Sequence, residues 1–245
     1  MARLEGKRLG FVVGAIVAAV AVVVGLVVIL ANSKSSVDDT AVGGTLTGDR
    51  LHHVFGHLFD GVSTVHVTYS AGAAQAEASA DVIVGPPVQA KITLRSASTP
   101  PQTGTVIIKD NKAYLNQPTF GAKWILMSSA DDGVSGTPAF GQTAFELLYL
   151  GPHTVATYKG SATVGSVSTR EYVLSASTST ATPSPASAPQ TVATVWLDGS
   201  GRLIKYTYSP TGDGTWVTAT YSNWGEPVTV TAPPANQVNV LQGAM

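Results

Sequence analysis

The chain is 245 residues long, 44% hydrophobic and 12% charged, which is apolar enough for a sizeable core and too apolar for a disordered chain. It has no cysteine, which excludes disulfides, thiolate chemistry, a cysteine-based zinc site and a cysteine-linked lipid anchor. Setting Arg3, Lys7, Arg8 and Glu5 aside from 14 basic and 15 acidic side chains leaves 11 and 14, and so acidic a body disfavours nucleic acid as a partner.

Residues 1–8 carry Arg3, Lys7 and Arg8 ahead of "LGFVVGAIVAAVAVVVGLVVILA", an uncharged run over 9–31. At about 1.5 Å per residue such a helix covers the roughly 30 Å hydrocarbon core of a bilayer. The bases before it and Asp38 and Asp39 after it predict a single-pass plasma-membrane protein, N-terminus cytoplasmic and body extracytoplasmic. A signal peptide cleaved at Ala31-Asn32-Ser33 competes, but the run exceeds the about 7–15 residues usual for its apolar part. Residues 32–45, "NSKSSVDDTAVGGT", are small, polar and Gly-rich and read as a flexible tether.

The body, 46–240, opens on "TGDRLHHVFGHLFDG". Thr47 is a cap, Leu51, Val54, Phe55, Leu58 and Phe59 recur at helical spacing and Gly61 is the stop, so the pattern predicts one short amphipathic helix. The period then becomes two. "STVHVTYSAG" presents Val65, Val67 and Tyr69, "EASADVIVG" presents Ala80, Val82 and Val84, and "VQAKITLRSAS" presents Ile92 and Leu94 against Lys91, Thr93 and Arg95. "TGTVIIKDNKAYLNQP" adds Val106 and Ile108 and turns at Asp110-Asn111. "GAKWILMSS" closes this meander, and a helix-like run at Thr143–Leu150, holding Leu147 and Leu148, interrupts it before a Gly-Pro stop.

Strand patterns resume with "TVATYKG", "STREYVLSAS", "TVATVWLDGSG", "RLIKYTYSP" and "TWVTATYSNWG". Ser177–Pro189, "STSTATPSPASAP", is a Ser/Thr/Pro-rich insertion whose composition cannot bury a core and which reads as a loop. The stretch "YSNWGEPVTVTAPPANQV" predicts a corner at Trp224-Gly225-Glu226-Pro227, a last strand through Val228 and Val230 and a Pro-Pro stop, before a tail over 241–245. The residues alone thus predict one α+β domain, with many antiparallel strands and two or three helices, preceded by one transmembrane helix.

No constellation announces catalysis: there is no G-x-S-x-G elbow, Walker sequence, G-x-G-x-x-G after a strand or H-E-x-x-H, and no enzyme is expected. His53 and His57 share a helix face, but no carboxylate lies at ligand spacing beyond Asp49 and Asp60 and such a pair is usually just solvated, so no metal and no cofactor is assigned. Asp131-Asp132 and Asp110-Asn111 lack the order of a calcium loop and read as turns. Trp196, Trp216 and Trp224 could stack on sugars, yet tryptophans on strands are most often packing residues.

Three segments carry a resemblance: "STVHVTYSAG", "TVATVWLDGSGRLIKYTYS" and "TYSNWGEPVTVTAPPA", with "GAKWILMSS" and "GSVSTREYVLSAS" in order between them. Together, over most of 46–236, they resemble the LppX/LprAFG family of actinobacterial cell-envelope lipoproteins, which is similar in fold to LolA/LolB-type lipid carriers. The resemblance implies a strongly curved antiparallel sheet, an incomplete β-barrel, over helices with an apolar cavity between. It implies a membrane-anchored extracytoplasmic protein that shields the acyl chains of a lipid or glycolipid for envelope transport, with the membrane and a membrane lipid transporter as further partners. On that reading Val65, Val67, Val82, Val84, Ile92, Leu94, Val106, Ile108, Leu147 and Leu148 are the cavity candidates. One departure is that family members are anchored through a lipidated cysteine; here the run 9–31 would substitute. The alternative is a membrane-tethered sensor or interaction ectodomain with a filled core.

Overall fold

The structure is a computed structural model and describes residues 44–47, 50–51, 54–55, 58, 61–71, 76–84, 87–96, 101–118, 121, 123–129, 154–176, 190–208 and 217–240. Two antiparallel meanders make up one sheet. The first comprises β2 (Thr64–Ala71), β3 (Ala76–Ile83), β4 (Gln89–Ser96), β5 (Gln102–Lys109), β6 (Lys112–Asn116) and β7 (Trp124–Ser129). The second comprises β8 (Thr154–Val164), β9 (Val167–Ala176), β10 (Gln190–Leu197), β11 (Leu203–Tyr208) and β12 (Val217–Ser222). β12 pairs antiparallel with β2 and fuses them. Two short strands finish the edges: β1 (Thr45–Thr47) lies on β8, and β13 (Val238–Val240) lies parallel to β7. The sheet has 13 strands in the order β1-β8-β9-β10-β11-β12-β2-β3-β4-β5-β6-β7-β13.

Period-two patterning explains why these segments are strands. In β4 the sequence QAKITLRS buries Ala90, Ile92 and Leu94 and exposes Lys91, Thr93 and Arg95. Asp110 and Asn111, both at positive φ (52° and 59°), make the two-residue turn between β5 and β6 that the sequence predicts there. Inward side chains from β1 to β6 and from β8 to β12 belong to a single buried cluster, so one face of the sheet encloses the core. A sheet of this many strands twists and curls rather than lying flat.

Two expectations are corrected. The fold is not α+β with several helices: among the described residues no helix reaches 7 residues, and helical backbone is limited to Arg50, Leu51, Val54 and Phe55, to 3-10 backbone at Pro118 and to a 3-10 turn at Ala235–Gln237. A stretch as short as 47–61, with glycines at 48, 56 and 61, has little helix-forming tendency of its own. Its apolar residues still do what their spacing suggested, since Leu51, Phe55 and Leu58 are buried in the core. The helix-like run at 143–150 lies outside the described residues. The single-pass membrane placement is corrected as well: no helix among the described residues is long and apolar enough to cross a membrane. The run 9–31 that suggested it, residues 1–8, most of the tether, the loop 177–189 and the tail 241–245 lie outside the described residues.

The closing segment also departs from expectation. Val228 and Val230 are not in a strand. The reason is topological: β12 already has β11 and β2 as neighbours, so the chain leaving Ser222 finds no free edge until it reaches β7. It crosses the ends of the first meander as a strap. Gly225 donates its amide to the Thr64 carbonyl at 2.9 Å, and the Thr64 hydroxyl donates to the Glu226 carbonyl at 2.6 Å. Further along, Lys109 Nζ donates to the Val230 carbonyl at 2.8 Å and to Gln89 Oε1 at 3.0 Å, and Val230 is buried.

Candidate functional site

Cross-strand register assembles the aliphatic candidates into rows. Val65 faces Val82, Val82 faces Ala90 and Ala90 faces Ile108. The next row runs Tyr221, Val67, Ala80, Ile92, Val106, Leu115 and Ile125, across seven strands. A third runs Tyr69, Ala78, Leu94 and Gly104. Val65, Val67, Val82, Ile92, Leu94 and Val106 are buried, and Val84 and Ile108 are partly buried against the same cluster. Eight of the ten residues singled out from the sequence therefore share one continuous apolar face; Leu147 and Leu148 lie outside the described residues. Ala78, Ala80 and Ala90 alternate with the larger side chains. Leu51, Phe55 and Leu58 are buried in the same cluster.

The other half of the inner face has a different chemistry. Tyr158, Tyr172, Val195, Tyr206, Ala219 and Tyr69 follow one another in register from β8 to β2. Tyr158 and Tyr172 have ring centroids 5.5 Å apart, Phe55 meets Tyr172 edge-on at 6.0 Å and Tyr206 stacks with Tyr208 at 6.4 Å. Burial raises the pKa of Tyr69, Tyr172, Tyr206, Tyr208 and Tyr221 above the usual phenol value, so all five hydroxyls are neutral donors at ordinary pH. For Tyr206 the neighbouring phenols Tyr221, Tyr208 and Tyr69 add to the effect of burial. The Tyr206 side chain is fully buried, yet among the described residues its hydroxyl has no hydrogen-bond partner. Arg170, in register with buried Leu197, donates from Nη2 to the Asp198 carbonyl at 3.0 Å, while among the described residues its buried Nε has no partner. Leaving one such group unsatisfied costs about 1–3 kcal/mol.

The outer face carries two polar rows. Thr220, Thr68, Ser79, Thr93 and Thr105 form one cross-strand row, and Thr218, Ser70, Glu77, Arg95 and Thr103 another. A trough of about 370 Å³ opens here, lined by both rows across β12, β2, β3 and β4. Tyr69 and Ala78 line it as well, so its walls combine hydroxyls, two charged groups and apolar carbon. Nearby, His66 donates from Nδ1 to Asp81 Oδ1 at 2.7 Å, and Ser222 lies opposite His66 in register. These are the residue types of a hydrolytic triad, but among the described residues no hydrogen bond joins Ser222 to the imidazole. The set is a cross-strand hydrogen-bonded pair beside a serine.

The tryptophans divide as packing residues do. Trp196 donates to Glu171 Oε2 at 3.2 Å under the Lys205 ammonium, 4.8 Å from its ring, and Trp224 stacks on Tyr221 at 6.1 Å. Trp216, His53, His57, Asp131 and Asp132 lie outside the described residues. Sequence reasoning missed the tyrosine half. Its signal is present in "EYVL", "IKYTY" and "TATY", where tyrosines keep the inward parity of the neighbouring aliphatics.

No protein-family model matches the chain, and no curated protein matches it in sequence. Solved structures do. LprF from Mycobacterium bovis is 17% identical with a TM-score of 0.51, over 78% of this chain and 99% of that one. The Mycobacterium tuberculosis lipoprotein LppX is 19% identical with a TM-score of 0.51, over 74% of this chain and 98% of that one. Each is matched over nearly its whole length. The chain has an LppX/LprF-like fold.

Proposed function

We propose that this protein binds an acylated lipid or glycolipid and shields its acyl chains on the inner face of β2–β5, acting as a carrier rather than an enzyme. The observation that carries this reading is the unbroken aliphatic surface from Val67 to Ile125, flanked by Val65, Val82, Leu94 and Ile108. Likeness of fold to LprF and LppX supports it.

The physical demand is plain. Each exposed methylene costs about 0.8 kcal/mol, so a chain of about 16 carbons costs on the order of 12 kcal/mol in water. An aliphatic face removes most of that cost. Leu51, Phe55 and Leu58 are buried in the same cluster, so entry of an acyl chain requires the cluster to open. A donor or acceptor membrane, and a membrane lipid transporter, are the partners that such a carrier requires.

Native mass spectrometry of the purified full chain tests the proposal. Adducts whose organic extract yields acyl lipids are expected. A chain that never carries lipid, even after incubation with acyl-lipid vesicles, would instead have a filled core and an interaction role.

A further inference from the structure

The two halves of the inner face differ in the donors they leave unsatisfied. The half from β2 to β5 is aliphatic, with one buried acceptor, Gln117 Oε1, unsatisfied beside Gly104 at its end, whereas the half from β8 to β12 carries a row of phenols and two buried donors without partners among the described residues, Tyr206 OH and Arg170 Nε. Natural proteins rarely bury a donor and leave it unmatched unless something else fills the need. We propose that the inner face orients its ligand: the ester-linked end of an acyl lipid lies against β9–β11, where the Tyr206 hydroxyl donates to an ester carbonyl, and the acyl chains run across β2–β5. This rests on the lipid-binding reading above and adds direction and a specific polar contact to it.

Chemistry selects an ester over an ionised acid. Around Tyr206 the register places Val195 and Ala219, with the phenols of Tyr69, Tyr208 and Tyr221 nearby, and none of these neutralises a carboxylate. Arg170 is two strands away, on β9, and one inward-facing position along, which puts its backbone on the order of 11 Å from that of Tyr206. A carboxylate at Tyr206 would be buried without a cation, which is far costlier than burying a neutral carbonyl. A carbonyl needs only the one donor that Tyr206 offers. Arg170, partly exposed at the rim of this half, faces the head-group side of a lipid so placed.

The test compares two probes on the full chain, methyl palmitate and hexadecane, by displacement of an apolar naphthylamine dye. Tyr206→Phe should weaken methyl palmitate about threefold to tenfold, the worth of one neutral hydrogen bond, and leave hexadecane unchanged. The variant should melt no lower than the unaltered protein, because the hydroxyl it removes has no protein partner. In an arm that needs no variant, the carbonyl stretch of ¹³C-labelled methyl palmitate should move to lower frequency on binding the unaltered protein. Equal binding of methyl palmitate to both proteins, equal weakening of both probes or an unshifted carbonyl band overturns the orientation while hexadecane binding keeps the lipid reading intact. If neither probe binds the unaltered protein, both fail together.

Discussion

Thr64 and Gly225 are 161 positions apart in sequence and joined at the base of β2, where the Gly225 amide donates to the Thr64 carbonyl at 2.9 Å. The Thr64 hydroxyl returns a hydrogen bond to the Glu226 carbonyl, so the first strand of one meander and the segment leaving the other are locked at one corner. Gly225 makes the corner possible with φ of +77°, a conformation that a side chain strains. A Cβ there would meet nothing within 4 Å, so the cost of substitution is one of backbone alone. Gly225→Val is expected to destabilise the domain by about 1–3 kcal/mol, read from the denaturant midpoint. An unchanged midpoint would show that the corner relaxes without loss.

Removing the hydroxyl partner probes the same lock from the other side. Thr64→Val keeps the shape of a buried strand residue and leaves the Glu226 carbonyl to water, since Glu226 is exposed. The expected loss is about 0.5–1.5 kcal/mol, less than for Gly225→Val. A loss beyond about 3 kcal/mol would mean that the strap holds the whole sheet rather than one corner.

Buried phenols make an alkaline prediction with a definite sign. Burial raises the pKa of Tyr206 and Tyr221, so the folded state holds these protons more tightly than the unfolded chain does. Their contribution to stability is complete below the unfolded phenol value of about 10 and falls as pH rises above it. Chemical denaturation across that range should show stability dropping, with a shallower drop in Tyr206→Phe. Ionisation of all 8 tyrosines near pH ~10 with the fold intact would contradict this.

The β5–β6 turn offers a simpler case. Asn111 sits at φ +59°, which asparagine tolerates and β-branched residues do not. Asn111→Val should cost about 1–2 kcal/mol in melting experiments, and Asn111→Gly should be close to neutral. Equal stability of the two variants would rule out a left-handed residue at this position.

What could be read from the sequence was the inner aliphatic surface, because the pleat fixes side-chain direction every second residue: Val65 and Val67, or Ile92 and Leu94, can only share a face. Burial of Leu51, Phe55 and Leu58 was equally legible from spacing. Helix length was not, since a periodic pattern says which residues turn inward and not how far the helix continues. Val228 and Val230 alternate as strand residues do, but whether a strand forms there depends on a free sheet edge, and the pairing of β12 with β2 removes it. Tyr206 escaped notice for a similar reason: an inward tyrosine reads as packing, and only the tertiary structure reveals that its hydroxyl lacks a partner. The membrane placement came from the hydropathy of 9–31 and the charges on either side of it, and had no support from the pattern of the body.

The most direct test of the central claim is the lipid content and stability of Ile92→Trp in the full chain. Ile92 lies mid-row between Ala80 and Val106, fully buried on the aliphatic face. If that face receives an acyl chain, the larger side chain occupies the chain's place, and co-purified acyl lipid should fall sharply while stability stays within about 1 kcal/mol of the unaltered protein. A filled core gives the opposite result, a loss of about 1–3 kcal/mol from overpacking with no lipid in either extract, and that outcome would contradict the carrier account.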